Sequence, residues 1–324
     1  MKKISVVMCT YNGERFLREQ LDSLVHQTYP LHEIIVQDDG STDATLAILG
    51  EYASQWKHIR LLKNEGPHGV NSNFWSAMRK ATGDWIAICD QDDIWEPDKI
   101  ERQAEAIGNS MFCAGRTRQF SEDGSFVFYD ARRPNVSLLR MLYTTEIGGH
   151  VMLFRKDFLQ QLPVDCGIYH HTCYDMVLAV AAAAYDSLVY MDAVLVHQRR
   201  YAGATTYSSG EKSLPTVGNG MRMLWWCLQH YKEVKRLSDD FYGYWEDFLQ
   251  LLPVDTAAKR EGLALLDWQR SSGVFRLIGF QWFCLRHRFQ LFHTRGKDPQ
   301  NILRALLFPI MATYYRRSLI LPSR

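Results

Sequence analysis

No C-x-x-C pair occurs among the seven cysteines of this sequence, and none of their spacings fits a zinc site. Cys9 and Cys89 lie inside apolar runs, where a free thiol packs as a small hydrophobe. A disulfide framework is therefore not expected, and a reducing, cytoplasmic setting is. Long hydrophobic runs are also missing. Nowhere do ~18 apolar residues follow one another, the length a spanning helix needs, and the nearest stretch, Met176 to Val196, is interrupted by Asp186 and Asp192. Met1-Lys2-Lys3 imitates the start of a signal peptide, but the apolar run Ile4–Cys9 breaks at Thr10-Tyr11-Asn12-Gly13. A signal core needs about 7–15 apolar residues, so the segment reads as a first strand. The formal net charge is only +1, which makes no case for nucleic acid, and no such partner is expected. No G-x-G-x-x-G follows the first run, which disfavours a NAD-dependent dehydrogenase. Thr10 stands where a phosphatase with an aspartyl nucleophile would want its acid.

What is present is enough apolar chain for a sizeable core: 47% of the 324 residues are hydrophobic and 13% aromatic. The first hundred residues alternate between two periodicities. Ile4–Cys9, Glu33–Gln37, Ile59–Lys63 and Trp85–Cys89 read as strands. Helices are expected over 14–27, from the possible caps Ser41, Thr42 and Asp43 to about Ser54, over 72–81, and from Pro97 to about Ile107. Such alternation requires a mostly parallel sheet flanked by helices, an α/β fold. Sheets of this kind bind ligands at the carboxyl ends of their strands. Four polar clusters fall at those ends: Thr10-Tyr11-Asn12, Asp38-Asp39, Asn64-Glu65, and Asp90-Gln91-Asp92-Asp93.

The last cluster is chemically the most telling. Three carboxylates within four residues repel one another unless a cation or hydrogen-bond donors compensate. A hard divalent ion takes one or two carboxylates and keeps the rest of its shell for water and phosphate. The implied cofactor is Mg²⁺ or Mn²⁺ bridging a diphosphate; the competing reading is a solvated acidic turn before the Pro97 helix.

These segments together resemble family 2 glycosyltransferases. The resemblance is carried by Ser5-Val6-Val7-Met8-Cys9-Thr10-Tyr11-Asn12-Gly13, Gln37-Asp38-Asp39-Gly40-Ser41-Thr42-Asp43, Val70-Asn71-Ser72-Asn73-Phe74 and Ala81-Thr82-Gly83-Asp84-Trp85. Cys89-Asp90-Gln91-Asp92-Asp93-Ile94-Trp95, with Pro97 and Lys99, is similar to the rhamnosyltransferase-like branch. The match is dense over 4–100, weaker to about 206 and absent beyond.

The resemblance implies a GT-A fold, Rossmann-like, and inverting transfer from a nucleotide-diphosphate sugar (a dTDP- or UDP-sugar) to a saccharide hydroxyl, in surface polysaccharide or O-antigen assembly. Thr10, Tyr11, Asn12 and Glu14 match the family's base and ribose pocket. Asp38 or Asp39 matches the acid that binds the base, the other forming the turn. Asp92 matches the metal ligand and Asp90 the residue touching ribose or metal-bound water. The branch's base is an Asp opening a helix in an H-D-W-W pattern. Here the segment is Tyr174-Asp175-Met176-Val177, which gives Asp175, with a helix cap as its plainer role. Gly148-Gly149-His150 resembles the turn that shapes the acceptor floor; His150 is either an acceptor contact or a satisfied core histidine. Aligned on an Arg-x-His element that completes the metal shell, Arg199 puts Tyr201 at the histidine position. Arg199 and Arg200 are diphosphate contacts or surface arginines.

Further along, Phe112–Gln119 and Ser125–Tyr129 read as a hairpin around Glu122-Asp123-Gly124, His150–Arg155 and Leu188–Met191 as strands, and Tyr174–Tyr185 as an alanine-rich helix. The resulting division is a transferase domain over 1–206, a flexible loop over 207–219, and a helical extension over 220–324. Within the transferase domain, residues 1–100 would bind the nucleotide sugar and residues 101–206 the acceptor. Residues 270–324 hold ten Lys/Arg against the single acid Asp298, with aromatics such as Trp282, Phe283, Tyr314 and Tyr315 interspersed. Helices of that composition suit an anionic cytoplasmic membrane face and an acceptor on a lipid diphosphate, or else ordinary packing and a dimer contact. Two rivals to transfer remain. A nucleotidyltransferase on sugar phosphates would want a Gly-rich basic loop where Thr10-Tyr11-Asn12-Gly13 stands. A catalytically weak sugar-nucleotide-binding relative is suggested by Tyr174 and Tyr201.

Overall fold

The computed structural model describes residues 1–121, 127–128, 133–201, 217–292 and 298–319. Strands β1 (Ile4–Thr10), β2 (Glu33–Asp38), β3 (Ile59–Lys63) and β4 (Trp85–Cys89) pair in parallel in the order β3-β2-β1-β4. Between them run α1 (Leu17–Val25), α2 (Thr45–Gln55) and α3 (Val70–Arg79). β4 is buried at every position and β2 likewise, because helices cover both faces of a parallel sheet. Leu17, Leu21 and Leu24 of α1 and Phe74, Ala77 and Met78 of α3 supply that cover. Each such large side chain contributes about 1.5–3 kcal/mol of apolar transfer, so the helical spacing itself fixes which face turns inward.

The second half of the sheet is mixed. The two-residue β5 (Ile94–Trp95) leads into α4 (Lys99–Ala106) and β6 (Phe112–Phe120), followed by β7 (Val127–Phe128), β8 (Leu153–Arg155) and β9 (Leu188–Arg199). Beyond β4 the order continues β8-β6-β9-β5, with β7 on β6. β8 runs antiparallel to β4 and β6, β9 parallel to β6, and β5 antiparallel to β9. The hairpin expected around 122–124 is present as the β6–β7 pairing, Gln119 opposite Phe128; its turn lies outside the described residues. Two expectations are corrected. Residues 149–151 form a 3₁₀ turn and only Leu153–Arg155 is strand. The last strand extends to Arg199, twelve residues instead of four, since bulges near Arg116 let β9 follow β6 past Asp192.

Helices α5 (Leu138–Met141), α6 (Lys156–Gln160) and α7 (Tyr174–Ala184) close this half. From Val177 to Ala184 every residue of α7 is buried, which its small side chains permit. The C-terminal elements are α8 (Val217–Leu251), α9 (Ala257–Arg270), α10 (Val274–Arg286), α11 (Arg288–Leu291) and α12 (Asp298–Met311), then a 3₁₀ segment, Ala312–Leu319. Trp245 and Phe248 of α8, Leu265 of α9 and Phe308 of α12 join the same core as the sheet. The loop expected over 207–219 falls outside the described residues as far as 216, and α8 begins at Val217. Among the described residues no helix is long and apolar enough to cross a membrane. All seven cysteines are unpaired.

Candidate active site

Strand register brings the polar clusters together. Thr10 pairs with Asp38, Asp38 with Lys63, and Met8 with Cys89, so the loops after β1, β2 and β4 open side by side at one sheet edge. Side chains then stitch the loops. The Gln91 side-chain amide accepts from the Tyr11 backbone N–H at 2.9 Å and donates to the Tyr11 carbonyl at 3.1 Å. Gly13 makes this possible, because a β-carbon there would come against Gln91 Oε1 at 2.4 Å. Asn12, with φ at +47°, donates its backbone N–H to Ser41 Oγ, and its side-chain oxygen accepts the Thr42 N–H at 2.9 Å. Glu14 accepts from the Ala44 amide at 2.7 Å, at the start of α2.

The two acids after β2 divide their work. Asp38 is buried and accepts from the amides of Gly40 and Ser41 and the hydroxyls of Ser41 and Thr10, which makes it the turn-former. Asp39 accepts from Asn64 Nδ2 at 2.6 Å and the Gly69 amide at 2.8 Å, with His68 Nδ1 at 3.1 Å. Partial burial pushes the Asp39 carboxyl up, yet these donors hold it below the usual carboxylate range. The Tyr11 ring stays open, 58% exposed.

Beyond β4 the acidic loop faces a histidine. His150 Nδ1 lies 3.4 Å from Asp90 and 3.7 Å from Asp93, while its Nε2 meets Thr117 Oγ1 at 2.8 Å. One ligand atom from each of Asp90, Asp93 and His150 falls within 4.8 Å of the others. Asp93 is 2% exposed; its Oδ1 accepts the Arg199 amide at 3.1 Å, whereas its Oδ2 is buried without a hydrogen-bond partner. Burial, with the charges of Asp90 and Asp92, pushes the Asp93 carboxyl up to about 7 against the opposing pull of His150. Burial alone would lower His150, but Asp93 and Asp90 raise it. Asp92 turns elsewhere and accepts the Tyr201 hydroxyl at 2.8 Å; burial and then Asp90 raise its carboxyl. The cluster that could hold a cation is thus Asp90, Asp93 and His150, with Asp92 one residue away, and the histidine comes from the turn before β8.

Asp175 opens α7, its Oδ1 accepting the Met176 amide at 2.7 Å. Burial raises its carboxyl, and the charge of Asp90 adds to that. Tyr174 beside it is buried, stacked on Phe74 with ring centres 4.4 Å apart. Its hydroxyl would be 2.2 Å from any β-carbon at Gly149, which explains the small residue there. Arg199 is not a surface arginine, which removes one of the two readings its sequence position allowed. It is 5% exposed, donating to the Asp92 carbonyl at 3.1 Å and to Glu19 at 2.7 Å, with its guanidinium over Phe16 and Phe120. A guanidinium so held anchors the acidic loop to α1, although its carboxylate partner Glu19 is more than half exposed. Arg200 bonds through its amide to the Phe120 carbonyl at 2.8 Å.

Residues 5–163 match the sequence model of glycosyl transferase family 2. The chain carries a family 2 glycosyltransferase domain. An uncharacterized protein of Mycobacterium tuberculosis is 28% identical over 235 residues, 67% of this chain and 65% of that protein. The chain thus spans just under two thirds of that relative. Glycosyltransferase GlyA of Streptococcus pneumoniae is 30% identical over 182 residues, 51% of this chain and 26% of GlyA. The crystal structure of S. aureus TarS 1–349, in complex with UDP-GlcNAc, superposes with a TM-score of 0.56 at 19% identity, covering 94% of this chain and 90% of that one. The shared architecture is the GT-A glycosyltransferase fold.

Sequence reasoning missed several members of this site. Gln91 carried no signal beyond lying between acids, and Thr117 and Glu19 come from elements whose approach only the sheet order reveals. Lys99 enters the sequence reading solely as a motif member. It is wholly buried, its Nζ 3.6 Å from the Trp95 ring centre and 2.9 Å from Gln103 Oε1, and burial pushes it down to about 7.

Proposed function

We propose that the family 2 domain moves a sugar, with inversion, from a nucleotide-diphosphate sugar to a hydroxyl of a saccharide acceptor. The observation that carries this reading is the unpartnered, buried Asp93 oxygen beside Asp90 and His150, at the edge where the β1 and β2 loops converge. An orphaned carboxylate oxygen of that kind fits a divalent cation, Mg²⁺ or Mn²⁺. Asp90, Asp93 and His150 would hold it, with Asp92 within the same loop, and when bound it supplies charge neutralisation for a departing diphosphate. Tyr11, Asn12 and Thr10 line the donor base and ribose side, with Asp39 rather than Asp38 as the base-facing acid, since Asp38 has its lone pairs engaged in the turn. Glu14 supports that side by fixing the start of α2.

Asp175 takes the proton from the acceptor hydroxyl as that oxygen attacks the anomeric carbon. Its raised carboxyl suits a base, because the proton affinity is higher than that of an exposed aspartate. Gly149 and Tyr174 shape the acceptor side. The resemblance of the motif after β4 is the reason to try dTDP-rhamnose as donor, and the complex of TarS with UDP-GlcNAc the reason to try UDP-sugars. Synthesis of a surface polysaccharide or O-antigen is the setting this reading implies, with the enzyme at the cytoplasmic side and the acceptor on a lipid diphosphate.

One observation favours a second reading, sugar-nucleotide binding without turnover: Tyr201 occupies Asp92 through its hydroxyl. Incubation with Mn²⁺ and a panel of UDP- and dTDP-sugars separates the two by nucleoside diphosphate release, with and without saccharide acceptors. Transfer predicts release that an acceptor stimulates. Metal-dependent binding with no release from any donor would leave only the second reading.

A further inference from the structure

The C-terminal helices leave apolar side chains in solvent that the sheet does not need. On α10, Phe275 is 90% and Trp282 71% exposed, and Val274 and Ile278 are exposed with them. At ~100° per residue these four fall within roughly a third of the helix circumference. Phe280 and Cys284, on the opposite side, are buried. On α12, Ile302, Leu303 and Leu306 form a second exposed arc opposite the buried Ala305 and Phe308. Gln281 Nε2 donates to the Leu306 carbonyl at 2.8 Å, so the two arcs adjoin. Monomeric proteins rarely keep so many large apolar groups together in water.

Charge decides what covers this face. Residues 270–324 hold ten Lys/Arg and one acid, Asp298, and Arg288 pairs with that acid at 2.8 Å. Arg286 falls at the margin of the α10 arc and Arg304 follows Leu303 on α12, whereas Arg276, on the far side of α10, pairs with Asp267 at 3.2 Å. Between α9 and α10 a cleft of about 370 Å³ is walled by Trp268, Trp282 and Phe283 and bordered by Arg286 and His287. The one acid on its wall, Glu261, accepts from Gln290 at 2.8 Å. An apolar stripe edged by Arg286, with an aromatic cleft at its margin and a strongly basic segment around it, complements a surface that is apolar below and anionic above.

We propose that α10 and α12 seat the protein on an anionic phospholipid bilayer, Phe275, Ile278 and Trp282 entering the interface and Arg286 and Arg304 meeting phosphate headgroups. The inference rests on exposure and charge, so it stands or falls apart from the transfer reading.

The test is flotation of the full chain with two vesicle types, phosphatidylcholine alone and phosphatidylcholine mixed equally with phosphatidylglycerol. The protein should float with the anionic vesicles, remain unbound to the neutral ones, and be released by salt as screening rises. Phe275→Ser with Trp282→Ser should lower the bound fraction about tenfold or more without changing the circular dichroism spectrum, since both side chains are exposed. Arg286→Glu with Arg304→Glu should lower it comparably. Failure of the wild-type chain to float with anionic vesicles, or unchanged flotation of both variants, overturns the proposal. So does a dimer in light scattering that the Phe275/Trp282 variant dissolves while neither protein floats, because the face then pairs two copies.

Discussion

Asp93 sits where burial resists its charge, and its folded value of about 7 lies above the ~3.9 of a free aspartate. The stability linked to this group is therefore complete below pH ~4 and is lost as pH rises through about 7. A cation paired with the carboxylate reverses that loss. Thermal unfolding should show a larger Mn²⁺-dependent Tm gain at pH ~8 than at pH ~5; at a cation concentration ~100 times Kd the gain corresponds to ~2.7 kcal/mol. Asp93→Asn should raise the metal-free Tm at the higher pH and remove the Mn²⁺ gain. A gain that survives this substitution would put the cation elsewhere. Asp175 gives the matching prediction on the acceptor side. Asp175→Asn should slow transfer by about 10²–10⁴ while leaving donor binding intact. Full activity in that variant would remove Asp175 as the base. At this scale the sequence was only partly legible. The acidic cluster and Asp175 stand out by residue type and position, but the turning of Asp92 to Tyr201 and of Asp93 to His150 depends on chain some sixty to a hundred residues away.

Loops, more than strands, make the pocket edge, and they hold one another. Asn12, Glu14 and Gln91 are spent on backbone groups of neighbouring loops, so residues whose types suggest ligand contact also fix loop shape. Gly13→Ala tests this directly. The added carbon displaces the end of Gln91, a flexible side chain, so the cost to folding should be small. Losing its two hydrogen bonds to Tyr11, each worth about 0.5–1.5 kcal/mol, should raise the donor KM roughly tenfold with kcat little changed. A donor KM equal to that of the wild type would show that the Gln91–Tyr11 link does not shape the donor side. Gly149→Ala should be harsher, because the opposing group is the buried Tyr174 hydroxyl, and a destabilisation of about 1–3 kcal/mol is expected in denaturant unfolding. The strands themselves were readable: β3 and β4 have the bounds their apolar runs predict. The two-residue β5 was not, being too short for any period, and the polar residues Asp192 and His197 hid the length of β9.

For the molecule as a whole, the parallel half and its ligand edge follow from strand–helix alternation, whereas the mixed half depends on pairings across distant sequence that no periodicity encodes. The C-terminal helices are integral to that whole, since Trp245, Leu265 and Phe308 pack into the core of the sheet. Their basic composition was plain in the sequence; which aromatics face water required the fold. The role proposed for the loop after β4 is to hold a cation and, through it, a donor diphosphate beside the β1 and β2 loops. Calorimetric titration of nucleoside diphosphate into the wild-type chain and Asp93→Asn, each with Mn²⁺ and with chelator, decides whether it does. Binding to the wild type should depend on Mn²⁺, and the variant should bind at least about tenfold more weakly. Equal binding by both proteins, or binding indifferent to chelator, would contradict that role.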